Sequence, residues 1–211
     1  MQAMTIMPDW EAQVPAELVA DLRALHAEPQ RAYHDWHHIE ELLALFGEIE
    51  AKLHDPRAVL FALLFHDAVY DPHSVDNERS SAELLVSLAS EVLPPESLER
   101  ARRMVLATVG HALPAGLSPE ESEDAAYFLD LDLAILGASP ERFAEYEAQL
   151  RREYADIPED TYRPARTAIL QRFARREHIY FSEWGREKFE QQAHANLASS
   201  VERLRGNAAS A

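Results

Sequence analysis

The stretch Asp55-Pro56-Arg57-Ala58-Val59-Leu60-Phe61-Ala62-Leu63-Leu64-Phe65-His66-Asp67 decides the fold. Asp55 supplies an N-cap, and Pro56 takes the first helical position, where a missing N–H is no loss. Ala58 to Phe65 is apolar without interruption. A helix that is apolar all round is buried, so other elements must surround it. The flanking sequence offers only helices. Ser118-Pro119-Glu120-Glu121 repeats the cap-then-proline device, with Glu121 placed for a capping box, and leads into a helix over 123–136 that Gly137 ends. Ser139-Pro140-Glu141 starts another that runs to Tyr154. Periodicity predicts further helices over 15–26, 36–53, 76–93, 95–111, 162–176 and 182–204, and no stretch alternates like a strand between hairpin turns. The expectation is a single all-α domain over 1–205, of about eight or nine helices, with 206–211 a disordered tail.

Composition narrows the function classes. Hydrophobic residues are 47% and charged residues 27% of 211, which suits a soluble chain with a sizeable core. Only 6 glycines argue against Gly-rich phosphate loops and tight-turned β architectures. With no cysteine, disulfides, thiolate-held zinc, iron–sulfur clusters and thiol catalysis are excluded. A net charge of −17 repels nucleic-acid polymers, although a metal or a few arginines can reverse the sign inside one pocket. Of 20 basic residues only Lys52 and Lys188 are lysine, so forked guanidinium recognition is widely available. The opening residues lack the basic end and apolar core of a signal peptide, and no apolar run approaches the ~20 residues of a membrane span. A cytoplasmic protein without a membrane partner is expected.

Three places put ionisable residues where periodicity predicts burial. In Tyr33-His34-Asp35-Trp36-His37-His38-Ile39, the four-residue spacing puts His34 and His38 on one face if the helix already includes His34. The central helix ends in His66-Asp67, which must project from the core into something polar, because an unmet buried polar group costs about 1–3 kcal/mol and a charge more. In Phe128-Leu129-Asp130-Leu131-Asp132-Leu133, two acids interrupt an apolar run. They lie about 200° apart on a regular helix, so one faces the interior while the other caps, pairs with an arginine or supports from behind. Two imidazoles and two carboxylates from separate buried helices make a nitrogen-and-oxygen site. Such a site suits Mn²⁺, Fe²⁺, Co²⁺, Ni²⁺, Mg²⁺ or Zn²⁺ and hydrolytic chemistry on a phosphate.

The order His38 … His66-Asp67 … Asp132 resembles the H…HD…D pattern of the HD superfamily of metal-dependent phosphohydrolases. Tyr33–Ile39, Phe65–Asp71, Asp76–Ala82 and Phe128–Gly137 are similar to a bacterial branch described as predicted HD phosphohydrolases, and segments near Arg176 and Asn196 extend the likeness over most of the chain. The resemblance implies one divalent metal, with a second possible, held by His38, His66, Asp67 and Asp132. Asp130 is the alternative ligand if the helix is rotated, and otherwise serves as a supporting catalytic acid. His34 matches the general acid of the related cyclic-nucleotide phosphodiesterases, although Asp35 stands where their pattern has Asn. Glu78 is expected to reach the activated water, and His111 a second metal or the phosphate. Arg79, Arg172, Arg175 and Arg176 are candidates for binding substrate phosphates bidentately. The implied activity is hydrolysis of a phosphate ester or anhydride of a nucleotide or small phosphorylated metabolite. The competing classes are an HD-fold di-iron oxygenase and a low-turnover nucleotide sensor.

Overall fold

The computed structural model describes residues 10–206. The fold is all-α, with nine α-helices and no strand among the described residues. The helices are α1 (Ala16–His26), α2 (Trp36–Ile49), α3 (Pro56–Phe65), α4 (Asn77–Ala89), α5 (Pro95–Ala107), α6 (Pro119–Asp132), α7 (Pro140–Glu153), α8 (Glu159–Ala174) and α9 (Glu183–Gly206). The chain divides into two compact units, one ending at Leu131 and the other starting at Asp132. Gly206, placed by the sequence in a tail, is the last residue of α9, and the rest of that tail lies outside the described residues, as do 1–9. No described helix is long and apolar enough to cross a membrane.

In the first unit α3 is the hub. Every residue from Ala58 to Phe65 is fully buried, and α2, α4 and α5 pack around it. Its N-terminus forms as the sequence predicts, with the Asp55 carboxylate accepting from the Ala58 N–H at 3.0 Å. The buried carboxylate of Asp124 in α6 accepts from the His54 and Asp55 N–H groups at 2.9 and 2.8 Å, tying α6 to the start of α3. The capping box is also present. Ser118 Oγ accepts from the Glu121 N–H at 3.2 Å, and the Glu121 carboxylate accepts from the Ser118 N–H at 2.8 Å.

The second unit packs α8 on α9 and sets the 3-10 turn Leu133–Gly137 against α7 and α9. The sequence predicts regular helix to residue 136, but the α-helix ends at Asp132. Side chains hold the tighter turn: the Tyr180 hydroxyl donates to the Leu133 carbonyl at 3.0 Å, and Asn196 Nδ2 donates to the Leu136 and Ala138 carbonyls, both at 2.9 Å. Gly137 is required there, because a Cβ would lie 2.5 Å from Phe189 Cβ. Buried Arg166 pairs with Glu147, whose other oxygen accepts from Ser200 at 2.7 Å.

Candidate metal centre

His38, His66 and Asp67 converge in the first unit, with one ligand atom from each inside a mutual distance of 4.8 Å. Three local structures bring them together. Asp35, not His34, opens α2: its carboxylate accepts from the His37 and His38 N–H groups at 2.9 and 3.3 Å. His38 therefore sits in the first turn, buried, with its ring against Tyr33 at 4.7 Å between centroids. His66 is the C-cap of α3, where the core helix ends. Asp67 follows it in the turn, with its side chain 19% exposed, so the cluster opens to solvent on the carboxylate side.

One hydrogen of the cluster is placed by its surroundings. His66 Nδ1 lies 2.9 Å from the Leu63 carbonyl, which can only accept, so Nδ1 carries the hydrogen. The Nε2 of a neutral His66 is then a bare lone pair. It faces His38 Nε2 at 3.2 Å and Asp67 Oδ2 at 3.1 Å, while His38 Nε2 and Asp67 Oδ2 are 4.0 Å apart. A cation among these atoms would be met by the His66 lone pair and the Asp67 carboxylate. Bonds of about 2.0–2.3 Å at right angles span about 2.8–3.3 Å between donors, which matches both short separations. These residues could hold a metal ion.

His34 lies near the cluster, though not for the helical reason suggested by its spacing. It precedes α2 and is outside any helix. Its ring lies over Tyr70 at 4.2 Å and edge-on to Tyr33 at 4.9 Å, which brings Nε2 to 4.0 Å from Asp67 Oδ2. Burial separates the two acids of α6. Asp130 has no exposed surface, whereas Asp132 is half-buried and opens the second unit. Neither is among the three residues whose ligand atoms cluster.

The supporting candidates lie on several elements. Glu78 is half-buried in the first turn of α4. Arg79 is exposed beside it and lines a groove of about 420 Å³ between α4 and α5, with Ala82, Glu83, Val86, Arg102 and Leu106. His111, predicted to sit in a helix, lies beyond the end of α5 with a left-handed φ of 46°. Arg175 caps α8 and Arg176 follows it, both in the second unit with Arg172.

Three buried polar residues, Arg31, Ser81 and His26, carry no mark in the sequence. Arg31 is buried and donates to the carbonyls of His34, Asp67 and Ala68. Ser81 accepts from the Val69 N–H at 3.1 Å and donates to the Val69 carbonyl at 3.3 Å, anchoring α4 to the segment after Asp67. His26 is buried, its Nδ1 against the Leu22 carbonyl at 2.9 Å, and burial pushes its imidazole down to about 4. No family model, no curated protein and no solved structure matches the chain.

Proposed function

We propose that the first unit is a divalent-cation-dependent phosphohydrolase that cleaves an ester or anhydride of a nucleotide or small phosphorylated metabolite. The observation that carries the reading is the convergence of His38 Nε2, His66 Nε2 and Asp67 Oδ2 with the His66 proton committed elsewhere. The four-segment resemblance to HD phosphohydrolases supplies the reaction class. Those three atoms would hold the cation, and Asp130, the fully buried acid of α6 and the alternative ligand that the resemblance implies, is assigned as a fourth donor. The bound cation supplies Lewis-acid stabilisation of phosphate charge and a water of lowered pKa.

This chain's own residues do the rest. The Leu63 carbonyl fixes the His66 tautomer, so Nε2 is always available as a donor. Tyr33 and Tyr70 restrict the His34 ring and leave its Nε2 4.0 Å from the Asp67 carboxylate, at the edge of the cluster. His34 Nε2 delivers a proton to the leaving oxygen as the P–O bond breaks. The partly exposed Asp67 side of the cluster is where a small phosphate approaches; a polymer is opposed by the net charge of −17. The test is metal analysis of the purified protein, then a phosphate-release screen on nucleotides and sugar phosphates with and without chelator. Chelator-sensitive release supports the reading, and the absence of a bound or bindable divalent ion overturns it.

A further inference from the structure

Arg31 lies seven residues before the first candidate ligand and donates to none of the three ligand atoms, yet its guanidinium joins main-chain segments around them. Nη1 donates to the His34 carbonyl at 2.9 Å and to the Asp67 carbonyl at 2.7 Å. Nη2 donates to the Ala68 carbonyl at 3.0 Å, and Nε to the Glu28 carboxylate at 3.2 Å. The side chain has no exposed surface, and its bond to the Ala68 carbonyl is fully buried. The adjacent Gln30 adds a third tie to the segment after His66, its Nε2 donating to the Tyr70 carbonyl at 3.2 Å.

We infer that Arg31 is a positioning residue of the cluster, fixing the separation between His34 and the His66-Asp67 pair. The inference rests on the metal-centre reading. The chemistry requires arginine in particular. Three carbonyls from two segments need donors held in one plane, and a guanidinium supplies five in a rigid fork. A lysine ammonium is a single point on a flexible stem and cannot span them. Glu28 balances the buried charge, which lets a cationic side chain sit beneath a cation site without a net positive field. The 4.0 Å between His34 Nε2 and Asp67 Oδ2 is thus set through the backbone, by one residue that grips both carbonyls.

The experiment uses the full chain with Co²⁺ as probe, reading affinity and the shape of the d–d absorption bands. Arg31→Lys and Arg31→Ala are expected to keep wild-type helicity, weaken Co²⁺ binding by about 10–100-fold and alter the bands. Millimolar ethylguanidinium is expected to restore the wild-type bands in Arg31→Ala, which a general loss of stability would not allow. Wild-type affinity and bands in both variants overturn the inference. A wild-type protein that binds no Co²⁺ overturns the metal-centre reading instead. In that case histidine ring NMR still tests Arg31: the His34 and His66 resonances must shift in Arg31→Lys while that of His194 stays, and unchanged His34 and His66 resonances refute the inference. If Arg31→Ala does not fold, Glu28→Ala, which removes the carboxylate that accepts from Arg31 Nε and Gln30 Nε2, replaces it in the same measurements.

Discussion

Replacing Asp67 with alanine separates the cost of a missing ligand from the cost of damaged packing. The Asp67 carboxylate lies within ion-pair range of His34, His38 and His66, all members of the candidate site. Its backbone is held independently, by Arg31 on the carbonyl at 2.7 Å. Truncation opens no core cavity, since the side chain is already 19% exposed. What is lost without metal is a partly solvated His–Asp pairing, about 0–1 kcal/mol. With metal the difference is large. An ion that binds only the folded state adds about 2.7 kcal/mol at a hundred times its dissociation constant. At about 2–4 °C per kcal/mol for a chain of this size, that raises the melting temperature by about 5–11 °C.

The assay is a thermal melt of wild type and Asp67→Ala, with chelator and with each of Mn²⁺, Zn²⁺ and Co²⁺. The expected pattern is two melts close together in chelator, and an upward shift with metal confined to the wild type. Phosphate release should disappear in the variant while helicity is kept. Equal metal-induced shifts in both proteins would refute the assignment of Asp67, because the ion would then be bound without it. A variant that melts far below wild type in chelator would refute the claim that Asp67 serves the site more than the fold.

The other predictions address neighbouring groups. His34→Ala should keep the metal-induced melting shift but lose about 10²–10⁴-fold in turnover on esters with poor leaving groups and less on nitrophenyl phosphate, measured by steady-state kinetics; equal losses on both remove it as the acid. Asp130→Asn should lose the metal-induced shift and Asp132→Asn should retain it, read in the same melts, and the reverse pattern moves the fourth donor to Asp132. For His26, whose folded value of about 4 lies below the ordinary 6.5, the native state binds fewer protons than the unfolded state between those limits. Its stabilisation is therefore complete above pH 6.5 and lost as pH falls toward 4, by about 3 kcal/mol, and His26→Gln should flatten that part of a denaturation-midpoint-against-pH curve; an unchanged slope refutes it.

The parts of the fold that were legible in the sequence are those written in local chemistry. Asp55-Pro56 and the Ser118–Glu121 box mark helix starts because capping involves only residues three apart, and both sets of bonds form. The buried hub α3 was legible because eight consecutive apolar residues leave no face for water. Errors fall where a distant residue overrides the local signal. The run after Asp130 looks like uninterrupted helix, yet Tyr180 and Asn196, some 47 to 60 residues away, take its carbonyls and hold a 3-10 turn. Nothing within residues 128–137 encodes those partners.

The same distinction explains the site. His38, His66 and Asp67 could be picked out because each is a polar group at an apolar position, and burial makes that costly unless the group has work to do. His34 stands out in the sequence for a spacing that is not why it is there. Helical i, i+4 adjacency requires both residues in the helix, but Asp35 caps α2 between them, and His34 reaches Asp67 by stacking on Tyr70 from the preceding turn. Arg31 left no mark at all. An arginine in an acidic, arginine-rich chain reads as surface charge, and the carbonyls it grips belong to residues 34, 67 and 68, whose side chains say nothing of their backbone partners. Ligands are visible in sequence because their own chemistry is out of place, whereas the residues that set the distances between them bind main chain and look ordinary. The consequence can be tested on this chain. Substituting the conspicuous Asp67 should remove the ion, while substituting the inconspicuous Arg31 should leave every ligand in place and still weaken binding, because the separation of the ligands has been released.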